Sequence, residues 1–340
     1  MQEVNESIIN KLKSCDLYRV PEGWIIDYPE FEKLADEQMD TFWPWSEPLV
    51  ENDTQDLRVR LTEQELHGIT TVLKLFTIYE MRVGDDYWLN RIARTFKRPE
   101  LQRMATMFSC VEFNSHAKFY NKVNEVLFLD TEEFYSEWKH NEDLSKRIEF
   151  ISKCVKDKND LLSIGAFSFI EGAVLYSSFA FIKHFQSQAC GKDLLKNVCS
   201  GVNLSVADEN THAVGGALLF NTLVKQAKLN EKEMLFLKES MESVAQEVYN
   251  HESAIIDLIF EKGDIKGITK EQMKEFVKHR CNLCLQQLNF DSVFEEQEGY
   301  GIKDWFYKDI NSVAIHDFFS AGGNEYNIKW QEVKFGSVWK

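Results

Sequence analysis

Glu209 and His212 stand three residues apart in the segment VADENTHAVGG, and Glu112 and His116 stand four apart in SCVEFNSHAKFY. On a helix, either separation puts both side chains on one face. A carboxylate and an imidazole paired in this way can hold a divalent cation. Two more glutamates lie in apolar surroundings. Glu80 falls within the pattern of LKLFTIYEMRV, and Glu171 is the single charge in LLSIGAFSFIEGAVLYSSFAFI, between Asp160 and Lys183. An unpaired carboxylate in a core costs several kcal/mol, so Glu171 must be neutral, paired or metal-bound. Tyr120 follows His116 by four residues and shares its helix face. Beside an oxygen-reacting metal pair, such a tyrosine is a candidate for one-electron oxidation.

Alone, each feature has a plainer reading: one E-x-x-H is common on surfaces, and a single core tyrosine is ordinary. Together, four carboxylates and two imidazoles on four separate predicted helices are the ligand set of ferritin-like di-metal carboxylate bundles. Oxygen-rich ligation suits two divalent iron or manganese ions, with the carboxylates offsetting their charge. A pair of irons is the first expectation, with manganese–iron and two manganese ions as alternatives. Molecular oxygen is the expected oxidant. His140, His184, His251, His279 and His316 lack this context and read as structural or solvated.

The elements that must position these groups are legible in what is missing. Of 340 residues only five are proline: Pro21, Pro29, Pro44, Pro48 and Pro99. None follows Pro99, where average usage would give about 12. Glycine is also sparse, at 16. Sheets and barrels need many turns, and turns use both residues, so the composition implies an all-α fold. Thr62 with Glu65 is a capping-box pattern and starts a helix to about Val83. Pro99 suits a first helical position for a helix to about Leu127. Residues 131–157 read as shorter helices. Asp160 is expected to cap a helix to about Gln186. Further helices cover about 202–225 and about 230–261, and Thr269 with Gln272 starts one to about Leu288. The expected division is an N-terminal arm over 1–60, extended with short helices; a bundle over 61–290; and a C-terminal segment and loose tail over 291–340.

The stretch around Glu171 is long enough to span a membrane. Its four serines, its glutamate and its charge-rich neighbours favour a helix buried at the centre of a bundle. The net charge of −16, from 39 basic and 55 acidic residues, argues against a nucleic-acid partner. Seven scattered cysteines fit a reducing cytoplasm better than a disulfide framework. Cys281 and Cys284 form a lone C-x-x-C inside a helical pattern, which is weak evidence for a redox or metal role.

From about Tyr28 to Phe319 the chain resembles the small, radical-generating subunit of class I ribonucleotide reductases, in a short phage-like variety. Several motifs carry the resemblance: DTFWPW, the distance from His67 to Glu80, HAKFY, IEGAVLYSSFAF, ADENTH, VAQEVYNHESAIIDLIFEKG and GITKEQMKEFVKHR. It implies that Glu80, Glu112, His116, Glu171, Glu209 and His212 bind two metals and that Tyr120 stores the radical. It implies that Asp208 is hydrogen-bonded to His116, and that Trp43 continues a route for coupled electron and proton transfer. A tail tyrosine, Tyr326, would hand the oxidising equivalent to a large subunit that carries the nucleotide and on which the tail docks. It also implies a homodimer.

Two departures stand out. The first ligand is Glu80 where many relatives have aspartate; some manganese–iron relatives have such a glutamate but replace the tyrosine, and here Tyr120 remains. The usual E-x-x-H register before His116 would place Phe113 at the ligand position. Glu112, one residue back, still points within about 40° of His116 on an α-helix, and a π-bulge could absorb the extra residue. Two other functions remain open on the residues themselves: a di-metal oxidase or desaturase acting on its own substrate, and a metal-storage or binding protein.

Overall fold

The computed structural model describes residues 2–297 and 301–307. Those residues form helices and no strand. In chain order they are α1 (Gln2–Leu12), α2 (Pro29–Asp40), α3 (Glu63–Arg82), α4 (Pro99–Val111), α5 (Lys118–Leu127), α6 (Glu132–Ser136), α7 (Glu142–Lys156), α8 (Asp160–Gly172), α9 (Tyr176–Lys183), α10 (Lys196–Ala227), α11 (Glu231–Ile259), α12 (Lys270–Gln287) and α13 (Ile302–Phe306). α10 lies along α8, α11 packs on α12, α8 and α3, and α4 packs on α2.

Local chemistry sets most helix starts. Thr62, Asn230 and Thr269 each close a full capping box, with Glu65, Glu233 and Gln272 as the returning side chains. Pro29 and Pro99 open α2 and α4, where a missing N–H is no loss. At α8 the cap is Asn159, whose side chain accepts from the Leu161 N–H at 3.0 Å. The expected cap, Asp160, instead accepts from the Tyr18 hydroxyl and the Arg91 guanidinium, both at 2.6 Å.

Two helices run on through π-helical segments. Val83–Ala93 extends α3 beyond its expected end, and Glu112–Ala117 joins α4 to α5. The expected single helix from 160 to 186 is broken at 173–175. Leu175 there adopts φ 73°, and the Ala173 and Val174 N–H groups both donate to the Phe169 carbonyl. The Arg280 side chain inserts at this break and donates to the Gly172 carbonyl. A side chain entering the backbone ladder is a recognised cause of such breaks. α12 can come this close because residue 172 is glycine; a Cβ there would lie 2.5 Å from the Cys284 sulfur.

The stretch Asp160–Gln186 is long and apolar enough to cross a membrane, but its most apolar window is wholly buried inside the bundle. It is the core helix expected from its polar punctuation.

The N-terminal 60 residues, expected as an arm with short helices, contribute side chains to the bundle core. Ile8, Leu17, Phe31 and Leu57 are fully buried in the same core as the bundle. The reason is spacing: Phe31, Leu34 and Ala35 form an apolar stripe on α2 that needs a partner, and α4 supplies it. Buried Arg98 fastens the connecting loop through the Asp16 carbonyl and the carboxylates of Asp16 and Asp27. At the other end, α13 packs against α9 and α12, with Phe306 buried. The tail with Tyr326, and His316, lie outside the described residues.

Candidate metal centre

Four stretches of helix bring six side chains to one point. α3 supplies Glu80; the π-helical segment after α4 supplies Glu112 and His116; α8 supplies Glu171 one residue before its end; α10 supplies Glu209 and His212. All six are at most 2% exposed. They form two overlapping groups. Glu80, Glu112, His116 and Glu209 each offer an atom within 4.8 Å of the others, and so do Glu112, Glu171, Glu209 and His212. Glu112 and Glu209 belong to both groups, which is the arrangement that two neighbouring cations sharing two carboxylates would need.

Glu112 reaches both histidines. Its Oε2 is 3.0 Å from His116 Nδ1 and its Oε1 is 2.8 Å from His212 Nδ1. Glu209 lies 3.3 Å from His116 Nδ1 and 3.5 Å from His212 Nδ1. Burial, then repulsion from Glu112 and Glu209, pushes the Glu80 carboxyl well above the usual range. Burial, then Glu209 and Glu112, does the same to Glu171. Burial works against protonation of His212, but the close approach and charge of Glu112 lift it to about 9. His116 is raised too: burial opposes, while Glu112 and Asp208 more than offset it. Without cations, protons held on Glu80, Glu171, His116 and His212 offset the crowded charge.

The donor set fits metal. Both oxygens of Glu80, both of Glu209, Glu171 Oε2 and both nitrogens of His212 are buried without a well-formed hydrogen bond. Buried polar atoms are normally satisfied, and here every unsatisfied atom is a lone-pair donor or can become one. Two cations would take up the carboxylate oxygens and His212 Nδ1, which faces Glu112 and Glu209, and would relieve the carboxylate repulsion.

The family model described as "Ribonucleotide reductase, small chain" matches residues 24–300. The chain belongs to the ribonucleotide reductase small-chain family. It is 25% identical over 303 residues to a probable ribonucleoside-diphosphate reductase small subunit of Invertebrate iridescent virus 6, covering 78% of this chain and 82% of that one. It is 29% identical over 250 residues to the ribonucleoside-diphosphate reductase subunit beta of Bacillus phage SPbeta, covering 68% of each. In fold it is similar to the dimanganese(II)-NrdF of Streptococcus sanguinis, with TM-score 0.72, 21% identity, and coverage of 84% of this chain and 98% of that one. The expected all-α, ferritin-like fold is thus the observed one.

In this reductase small chain, Tyr120 lies on α5, one turn past His116, and is fully buried. Its ring meets Phe76 at 4.4 Å and Phe119 at 4.9 Å. Its hydroxyl makes no well-formed hydrogen bond, and Ser205 is the hydroxyl side chain beside it. Burial, then the charge of Glu80, holds the phenol well above its usual range, so it is neutral.

On the far side of His116, Asp208 Oδ2 is 3.0 Å from His116 Nε2 and accepts from the Trp43 indole N–H at 2.7 Å. This contact fixes the imidazole so that Nδ1 faces the carboxylates. Three neighbours of the site were not read from the sequence. Gln38 donates to Asp208 Oδ1 at 2.7 Å, Ser115 donates to the Trp43 carbonyl at 2.5 Å, and the Trp88 indole donates to Glu171 Oε1 at 2.7 Å. The signal for Trp88 was an indole in the run DDYWLNRIA, hidden because the helix was expected to end near Val83. Gln38 and Ser115 carry no signal of type or spacing. Cys281 and Cys284 form no disulfide, are buried on α12 and belong to neither ligand group.

Proposed function

We propose that this chain is the radical-generating small subunit of an aerobic ribonucleoside-diphosphate reductase. The observation that carries the reading is a pair of carboxylate–histidine groups sharing Glu112 and Glu209, with Tyr120 one helical turn from His116. Glu80, Glu112, His116 and Glu209 would hold one cation, and Glu112, Glu171, Glu209 and His212 the other. Two divalent irons are the first expectation, and manganese in one or both positions the alternative. When bound, the metal pair supplies the electrons that reduce molecular oxygen and so the oxidising equivalent.

The chain's own residues do the rest. Tyr120 gives up one electron and its phenol proton and stores the radical. Phe76 and Phe119 shield it. Trp43, Asp208 and His116 form a hydrogen-bonded line leading away from the metals, suited to moving an electron and a proton together. Tyr326 would continue it in a C-terminal tail that docks on the large subunit, where ribonucleotides are reduced. The working form is a homodimer; one structure of similar fold is the Rnr4 homodimer of Saccharomyces cerevisiae. Seven cysteines that form no disulfide support a cytoplasmic setting.

The test is metal analysis combined with electron paramagnetic resonance after aerobic reconstitution with iron or manganese. Two metals per chain and a tyrosyl signal absent from Tyr120→Phe are expected. Uptake of many ions with no radical would replace this reading with storage.

A further inference from the structure

The Glu171 side of the centre is tied to the last described segment of the chain through one buried cation. Arg280, on α12, is 1% exposed, and among the described residues it forms no ion pair with a carboxylate. Three other groups hold it. Its Nε donates to the Gly172 carbonyl at 2.7 Å, its Nη1 donates to the Tyr307 hydroxyl at 2.8 Å, and its guanidinium lies 3.7 Å from the Tyr176 ring centroid. Each contact has a direction. Gly172 ends α8 and follows Glu171 directly. A cation at a helix C-terminus satisfies a freed carbonyl and the negative end of the dipole. Tyr176 opens α9 across the break, and its hydroxyl donates at 2.7 Å to Asn210, the neighbour of Glu209. Tyr307 follows α13, whose Phe306 is buried against Phe276 and Tyr176 and whose Phe306 carbonyl accepts from buried Lys183 at 2.5 Å.

A charge without a carboxylate is an expensive way to join two helices. An apolar side chain would fill the space, but it would not fix the Gly172 carbonyl or register the position of α13. The break at 173–175 makes that control matter. Leu175 is held at φ 73°, a conformation a leucine adopts only when its surroundings impose it. The carboxylate of Glu171 rides on the last turn before this break.

We propose that Arg280 is a positioning residue for Glu171, coupling the seating of residues 302–307 to the Glu171–His212 side of the metal centre. The proposal rests on the di-metal reading above. It requires that loosening Tyr307 be felt at one metal position and not equally at both, because Glu80 and His116 lie on helices that Arg280 does not touch.

The experiment compares the full chain with Arg280→Met, Arg280→Lys and Tyr307→Phe. Manganese(II) titration followed by electron paramagnetic resonance reads the two affinities and the spin-coupled signal of the pair. Amide hydrogen exchange of the metal-free chain reads residues 171–176. Arg280→Met should weaken one manganese position by about tenfold, leave the other within about twofold, and diminish the coupled signal. Tyr307→Phe should do the same to a smaller extent, with faster exchange at 171–176. Arg280→Lys, which keeps a charge at the Gly172 carbonyl, should recover part of the loss. Equal weakening of both positions, or no change in Tyr307→Phe by either method, overturns the proposal. Failure of the unaltered chain to bind two metals overturns the di-metal reading instead; the exchange data still decide the coupling, since unchanged protection at 171–176 in Tyr307→Phe refutes it.

Discussion

Glu112 and His116 meet at 3.0 Å, Oε2 to Nδ1, inside a π-helical segment that spans Glu112–Ala117. In a π-turn each hydrogen-bonded ring encloses one residue more than in an α-turn. Four steps along it therefore cover about the angle that three cover in an α-helix, and the pair reproduces the geometry of an E-x-x-H motif with one residue inserted. The same segment turns Phe113, the residue in strict register, outward to 36% exposure.

This gives the first prediction. Glu112 belongs to both ligand groups, so Glu112→Ala should reduce bound metal from two ions per chain toward none, while Phe113→Ala should retain both. Plasma emission analysis of gel-filtered protein measures this. Full metal content in Glu112→Ala would mean that the register argument is wrong.

Tyr120→Phe should leave the fold and metal content intact and abolish the tyrosyl signal. The hydroxyl makes no well-formed hydrogen bond, with only the Ser205 hydroxyl beside it, so removing it costs little. The expected stability change is below about 1 kcal/mol, which for a domain of this size is a shift of about 2–4 °C in Tm or less. A larger loss on calorimetry would mean that the hydroxyl has a structural partner.

The sequence carried the centre better than its surroundings, for a physical reason. Ligands repeat at helical spacing and sit in apolar contexts, so Glu171 in a run of leucines, serines and phenylalanines marks itself. The break after Gly172 left no such mark. It depends on Arg280, more than a hundred residues away in the chain, and on a glycine that admits the Cys284 sulfur. The extension of α3 to Ala93 was also hidden, because π-helical spacing departs from the 3.6-residue period by which helices are recognised. Residues 1–60 read as an arm because they hold four prolines, yet those prolines punctuate short helices whose apolar stripes join the core.

Stability of the metal-free chain should fall as pH rises from about 6.5 to about 9. His212 is raised from 6.5 to about 9 in the folded state. A raised histidine contributes stability that is fully present below its unfolded pKa and lost as pH climbs through the folded value. Glu80 and Glu171, also raised, act in the same direction from 4.5 upward; Glu209, lowered, contributes stability lost only on acidification below 4.5. Metal replaces these protons, so uptake should release them, and the loaded chain should lose less stability over the same interval. Thermal melts at pH 6.5 and 9, with and without manganese, test the sign. A metal-free chain more stable at pH 9 would contradict it.

Asp208 accepts from three buried donors: Gln38 and Trp43, both at 2.7 Å, and His116 at 3.0 Å. Asp208→Ala strands all three. Each orphaned buried group costs about 1–3 kcal/mol, so urea denaturation of the metal-free variant should show a loss of at least about 3 kcal/mol. Asp208→Asn should not rescue it, because its amide nitrogen would face a donor at one of the two oxygen positions. Trp43→Phe removes a single donor and leaves the carboxylate bonded to Gln38 and His116; it should cost about 1 kcal/mol and retain metal and the tyrosyl signal. If Trp43 lies on the transfer route, that variant should nonetheless support no turnover with the large subunit. Normal turnover in Trp43→Phe would remove it from the route and leave Asp208 with a purely orienting role at His116.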